Sequence, residues 1–285
     1  MKDALKLMRI PFSVYLMPVF WFALSTLEDF DPLRAVAVFL ILHLLVYPAS
    51  NGYNSYFDRD EGSIGGLKHP PKVTRSLFWL VVSFDVLAVL AAAWLNAAFA
   101  GCILVYLLVS KAYSYDKIRL KKHPFLSTGV VVLFQGAFTY LMVQVGLGLN
   151  HSTLLQPANL VFAGVSSLFL CGSYPLTQIY QHAEDAGRGD RTLSLLLGIR
   201  GTLLFAAASL MLGSAVLLYA YLRQQQLWNI YIFVVCTAPV VTFFTSWYIK
   251  IQKDQGQANF ENTMRMNKIS SLAISMAFGL MIIIK

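Results

Sequence analysis

Apolar runs of about 20 residues, the length that crosses a bilayer core as a helix, recur along the whole chain. Nine are read, at 11–27, 33–53, 77–96, 97–115, 125–146, 157–179, 201–222, 227–249 and 268–284. Their borders are loose by several residues, and the 77–115 block is open to a different division. The runs are continuous and do not alternate with a period of two, which excludes a β-barrel. The pattern predicts an all-α, polytopic membrane bundle of about nine helices, one domain over residues 1–285. The first run follows Lys2, Lys6 and Arg9, as a signal peptide would. Pro11, Pro18 and the lack of an A-x-A-like cleavage site favour a retained span instead.

Composition agrees. The chain is 57% hydrophobic and 13% charged, with mean hydropathy +0.61. That charged fraction is about half the usual one, too little to cover a water-soluble surface. The formal net charge of +8 invites a nucleic-acid reading, but its placement argues for topology. Residues 1–10 and the connections 54–76, 111–124, 180–200 and 250–268 carry 19 of the 22 Lys and Arg. The other side of the membrane holds only Arg34, Arg223 and Lys285. This bias predicts a multi-pass protein with its large loops in the cytoplasm, in a bacterial or archaeal inner membrane, with membrane lipids and not nucleic acid as partners. Cys102, Cys171 and Cys236 fall in separate spans and read as core residues. The five histidines show no ligand spacing.

The acids cluster. At the loop end of the second span lie Asn51, Asn54, Asp58, Asp60 and Glu61. At the end of the sixth lie Gln178, Gln181, Glu184, Asp185 and Asp190. Asn51, Asn54 and Asp58 are spaced i, i+3 and i+7, as are Gln178, Gln181 and Asp185. Continued helices would place each trio on one face. Four spans separate the clusters, which predicts two similar halves facing one another across a central cavity. Oxygen-only donors suit Mg²⁺, which is held by one or two carboxylates and substrate phosphates. Lys68, Lys72, Arg188 and Arg191 lie near enough in sequence to meet a diphosphate. The segment Gly62–Lys72, with three glycines and Pro70-Pro71, reads as a cap over that site.

The first cluster resembles the N-D-x-x-D-x-x-x-D signature of the UbiA-type intramembrane prenyltransferases. The second resembles their D-x-x-x-D motif with its trailing R-T. Tyr113-Ser114 with Arg119-Leu120-Lys121 resembles their Y-S…R-L-K segment, and Arg9 with Pro11 their Arg-Pro start. The resemblance covers essentially the whole chain. It implies a Mg²⁺-bound prenyl diphosphate between the two motifs, its tail in an apolar tunnel, and a lipid-soluble acceptor attacking C1. Position by position it implies metal ligation through the diphosphate by Asn54, Asp58 and Asp185, with Asp58 and Asp185 catalytic; Glu61, beside one departure from the motif, and Gln181, at another, are taken as completing the metal set. It assigns Arg119, Lys121 and Arg191 to the diphosphate, with Lys68 and Lys72 added from their nearness in sequence. Asn51, Asp60, Glu184, Arg188, Asp190 and Arg9 are further candidates. The chain departs from the signature at Ser55, Gly62 and Gln181, where the family carries acids. Asp60 or Glu61, and Glu184 or Asp190, are the candidate substitutes.

Asp85, in the middle of the third span, is either a functional group or a partnered structural one. His182, beside the second motif, is either a proton-transfer group or simply wetted. His43 and Gln135 read as interhelical hydrogen-bonding groups. Competing readings are a transporter with a midplane site, a non-catalytic binding protein of the same fold, and a CDP-alcohol phosphotransferase. Acids at helix ends, split between two helices, favour the first reading over the transporter and the phosphotransferase.

Overall fold

A computed structural model describes residues 1–285. Nine helices are long and apolar enough to cross a membrane. They are α1 Lys2–Ser25, α2 Pro32–Asp58, α3 Arg75–Leu95, α4 Ala97–Ser114, α5 Pro124–Gly146, α6 Pro157–Leu176, α7 Leu193–Arg223, α8 Leu227–Lys253 and α9 Phe260–Ile284. The only β pairing is an isolated bridge, Ile64 to Leu67. Nine such helices make this a multi-pass integral membrane protein.

Local chemistry sets the helix ends. Asp31 Oδ1 accepts from Leu33 N at 2.9 Å and opens α2. Asn96 Oδ1 accepts from Phe99 N at 2.6 Å, which divides the 77–115 block. Thr192 Oγ1 accepts from Leu195 N at 3.2 Å and opens α7. In each case a short polar side chain satisfies amides that the first turn leaves free.

Several spans are broken. In α1, Arg9 adopts a left-handed backbone (φ 50°) and a 3₁₀ stretch, Ile10–Leu16, follows with Pro11 near its start. In α2 and α5, π-turns occupy Ile41–Val46 and Leu133–Phe138. The looser turn in α5 is met by Ser167 of α6. Its Oγ accepts from Ala137 N and donates to Val132 O, both at 3.0 Å. Here α5 and α6 touch at backbone distance, and a Cβ on Gly136 would sit 2.6 Å from Ser167 Cα. Small residues permit such close crossings in membranes.

Several boundaries differ from the sequence expectation: the first span begins at Lys2 and the ninth at Phe260, and the second runs on to Asp58. Two further differences bear on the site. The span read at 201–222 begins at Leu193, with a kink at Gly198 (φ 67°, ψ 175°) that only glycine adopts easily. The span read at 157–179 ends at Leu176. Pro175 lies inside its last turn, cannot donate to the ladder, and the chain then leaves the helix. Gln178, Gln181 and Asp185 therefore do not share one helix face. Gln181 instead precedes a separate short helix, His182–Arg188.

A main cluster of 33 buried apolar residues fills the bundle, with Phe22 stacked on Phe278 at 4.5 Å between centroids. Apolar residues such as Leu90, Trp94, Met211 and Val241 are exposed on the outer faces, where lipid would cover them. Asp85 is partnered: Lys111 Nζ lies 2.8 Å from its Oδ2, and 4.8 Å from the centre of the Tyr53 ring. Pairing of this kind is how an apolar slab tolerates two such charges, each half-buried here.

Candidate active site

The loop ends of α2 and α6 converge on a cavity of about 240 Å³. From the last turns of α2 it takes Asn51, Asn54 and Asp58, with Asp60 just beyond the helix. The helical spacing holds because this part of α2, Tyr47–Asp58, runs without a break. The chain after α6 adds Gln178, Gln181, Asp185, Arg188 and Asp190. Tyr113, Ser114 and Lys121 come from the end of α4 and its loop, and Arg9 from α1.

Charges in this cavity are laid out as an alternating lattice. Lys121 Nζ lies 2.5 Å from Asp58 Oδ1 and 3.4 Å from Asp190 Oδ2. Arg119 forks onto Asp190, with Nε to Oδ1 at 3.1 Å and Nη2 to Oδ2 at 3.0 Å. Its Nη2 also lies 3.8 Å from Asp58. Arg188 bridges Asp60 and, at 2.8 Å, Glu184. Arg9, nearly fully buried, donates to the carbonyls of Gly65 at 3.3 Å and Asn51 at 3.2 Å. Arg9 and Arg119 both have positive φ, 50° and 41°. Backbone strain of this kind persists where the surroundings enforce it, and it concentrates at functional sites.

These pairings tune ionisation. Hydrogen bonding to Asp190 raises the Arg119 pKa above its ordinary value. Burial pushes Asp190 upward, but the Arg119 hydrogen bond and the Lys121 charge more than offset it and hold the carboxyl below its usual range. Asp185 differs: burial lifts it to about 6, only partly countered by Lys121. Its hydrogen bond comes from Thr192 Oγ1 at 3.3 Å. Desolvation lowers the pKa of His182, which faces Ser194 Oγ at 2.8 Å and does not line the cavity.

Do these residues fit a metal ion? No three acids are gathered closely enough to form a ready cage. The donors are nevertheless hard oxygens lining one cavity, from both motifs: Asn54, Asp58, Asp60 and Asp185. Asn54 Nδ2 donates to Asp58 Oδ2 at 2.7 Å and Ser114 Oγ at 3.0 Å, which aims its carbonyl oxygen elsewhere. One or two carboxylates completed by phosphate oxygens is the mode magnesium prefers. The set fits a metal that arrives with a diphosphate.

Not every predicted residue reaches the cavity. Glu61, Lys68, Lys72 and Arg191 are exposed and do not line it. Arg119 and Glu184 do not line it either and reach it only through their ion pairs with Asp58, Asp190 and Arg188. Asp60 takes the place next to the cavity that Glu61 would have filled, because α2 ends at Asp58 and the chain turns at Arg59 (φ 50°). Lys68 is instead paired with Glu261 of α9. Gln181 lines the cavity, but its Nε2 donates to Ser63 O at 3.1 Å, tying the second motif to the 62–72 segment. A carboxylate has no proton to make that bond. The segment does lie over the site. Phe12 packs under Gly65, where a Cβ would meet its ring at 2.6 Å.

Three residues carry more of the site than their local sequence reveals. Tyr113 Oη and Tyr174 Oη lie 2.5 Å apart, and Gln178 Nε2 donates to Tyr174 Oη at 2.9 Å. Gln178 Oε1 is buried without a hydrogen-bond partner. Tyr174 also marks a junction. Together with Phe12, Gln135 and Thr177 it lines both the polar cavity and a second one of about 250 Å³. The second cavity is mostly apolar, walled by residues such as Val19, Phe22, Phe169, Ile274 and Phe278.

The model of the UbiA prenyltransferase family matches residues 15–269. A UbiA homolog from Archaeoglobus fulgidus bound to GPP and Mg²⁺ superposes with TM-score 0.66 at 17% identity, over 98% of this chain and 99% of that one. The same homolog bound to DMAPP and Mg²⁺ gives 0.60 at 18% identity, over 98% and 99%. A digeranylgeranylglyceryl phosphate synthase gives 0.61 at 16% identity, over 99% and 97%. At these identities the likeness is one of fold. No curated protein matches the chain.

Proposed function

Because the chain belongs to the UbiA prenyltransferase family, we propose that it transfers a prenyl group from a prenyl diphosphate to a lipid-soluble acceptor, with Mg²⁺. One observation carries this reading: a polar, charge-lined cavity opens into an apolar one at Phe12, Gln135, Tyr174 and Thr177. An amphiphile with an anionic head and a hydrocarbon tail is complementary to that pair of chambers.

Asp58 and Asp185, with Asn54 and Asp60 beside them, are the residues that would hold the metal. When bound, the ion neutralises charge developing on the leaving diphosphate. Lys121 and Arg188 trade part of their contact with carboxylates for phosphate oxygens, so the lattice of alternating charge is kept with the substrate inside it. Arg119 keeps Asp190 and Lys121 in place. The C1–O bond breaks with its electron pair leaving on the diphosphate. The acceptor supplies the pair for the new bond to C1, and its proton passes to a diphosphate oxygen. Aromatic faces such as Phe12 and Tyr174 at the junction stabilise the allylic cation. Walls that exclude water keep the cation from hydrolysis. The excess of bases in the surrounding loops supports a cytoplasmic position for this site.

The test is conversion of a radiolabelled prenyl diphosphate with a lipid extract, using purified protein and Mg²⁺. A new labelled lipid with released diphosphate is expected. Failure to bind any prenyl diphosphate with any divalent ion overturns the reading.

A further inference from the structure

The acceptor has to meet C1 where the two chambers join, and on the polar side of that junction, at Tyr174, the protein presents a polar pair outside the metal and diphosphate assignments above. Gln178 is 8% exposed, and its side chain is oriented by donation from Nε2 to Tyr174 Oη. That bond leaves Oε1 as a buried acceptor with no partner. Tyr113 and Tyr174 share a single hydrogen bond at 2.5 Å. Two phenols carry two protons and this contact consumes one, so one O–H remains to donate. A free acceptor and a free donor thus stand together on one wall of the cavity. Buried polar groups without partners are costly, and a ligand that satisfies them is favoured by that cost.

The charge pattern narrows the chemistry. Arg9, Lys121 and Arg188 are the basic residues that line this cavity. Lys121 and Arg188 are committed on the motif side, to Asp58, Asp60, Asp190 and Glu184, and Arg9 gives Nη1 and Nη2 to backbone carbonyls, its buried Nε alone remaining without a partner. No cation is hydrogen-bonded to Gln178 Oε1, and a bare carbonyl oxygen repels an anion. Val109, Val130, Val131 and Phe134 supply an apolar side to the same cavity.

Resting on the prenyl-transfer reading above, we infer that Gln178, held by Tyr174 and Tyr113, is the specificity-determining contact for the acceptor. The acceptor is an uncharged hydroxyl on an apolar body, a phenol or alcohol, and not a phosphate or carboxylate. Its O–H donates to Gln178 Oε1, its oxygen accepts the free phenolic proton, and its body lies against Val130 and Phe134.

Equilibrium binding to the purified full chain tests this with defined probes: para-butylphenol, butylbenzene, para-butylbenzoate and glycerol phosphate. The phenol is expected to bind best, with butylbenzene and both anions weaker by about tenfold or more. Gln178→Leu should weaken phenol binding about tenfold, and Tyr174→Phe, which preserves the ring, by a smaller factor. An unfolding temperature in detergent close to that of wild type shows that both variants are folded, and the affinity of wild type for geranyl thiolodiphosphate with Mg²⁺ is measured in parallel. Equal or tighter binding of either anion, or phenol binding that neither variant changes, overturns the inference. Absence of thiolodiphosphate binding alongside Gln178-dependent phenol binding removes the transferase reading and leaves the pocket standing.

Discussion

Arg119 forks onto Asp190 across 71 positions of sequence, with both N–O distances near 3 Å: 3.1 Å and 3.0 Å. This pair closes the loop after α4 onto the loop before α7, and Lys121 sits within 3.4 Å of the same carboxylate. Asp190→Asn leaves two cations short of a partner in a partly dry site. The expected cost is about 2 kcal/mol of stability, read as a lowered unfolding temperature in detergent. A double-mutant cycle with Arg119→Gln should recover a coupling of about 1 kcal/mol.

Asp58 and Asp185 approach the cavity from opposite motifs. Asp58→Ala and Asp185→Ala should each lower kcat/KM for prenyl transfer by at least about a hundredfold, in a steady-state assay of diphosphate release. Full activity in both variants means that the metal and diphosphate sit elsewhere.

Asp185 gives the site a pH dependence of definite sign. Its folded pKa is lifted to about 6, above an ordinary 3.8. In the metal-free protein its contribution to stability is therefore fully present below about pH 3.8 and lost as pH rises through about 6. Asp185→Asn should raise the unfolding temperature near pH 8, by the equivalent of about 2 kcal/mol, and change little at acid pH. Cation binding runs the other way. Mg²⁺ affinity in the presence of a prenyl diphosphate should fall as pH drops through about 6, and calorimetry in buffers of differing ionisation heat should show proton release. Flat cation affinity between about pH 5 and pH 7 contradicts this assignment.

Gly136 permits the approach of α5 to α6. In Gly136→Ala the new Cβ meets Ser167 Cα at 2.6 Å, and backbone does not yield as a side chain would. Overpacking of this kind costs about 1–3 kcal/mol. Since Gln135 at the chamber junction belongs to the same π-turn, the variant should also raise KM for the prenyl donor. Unchanged stability and KM would mean that the helices separate freely.

Asp85 and Lys111 make the opposite prediction for activity. The pair lies outside both cavities. Asp85→Asn leaves Lys111 uncompensated and should lower stability by roughly 1–3 kcal/mol, with kcat unchanged in the same diphosphate-release assay.

The sequence by itself determined the spans, the uneven placement of the bases, and the end of the bundle at which the two acidic–amide clusters gather. Each is a matter of composition over a window or of spacing within one helix. Hydrophobic length sets a span, and Asn51, Asn54 and Asp58 share a face because Tyr47–Asp58 remains one helix. Where the helix failed, so did local reasoning. Pro175 ends α6, so Gln178, Gln181 and Asp185 are positioned by turns and loop contacts rather than by a helical repeat. Tertiary structure alone decided which charges face the cavity. Asp60 and Arg188 line it, while Glu61, Lys68, Lys72 and Arg191 remain in solvent. It alone joined Tyr113 to Tyr174 and set Gln178 Oε1 without a partner in the polar chamber, next to the junction residue Tyr174. The physical reason is range. Hydropathy and helix periodicity act over a few neighbouring residues, whereas ion pairs and orphaned polar atoms depend on groups that only packing brings together.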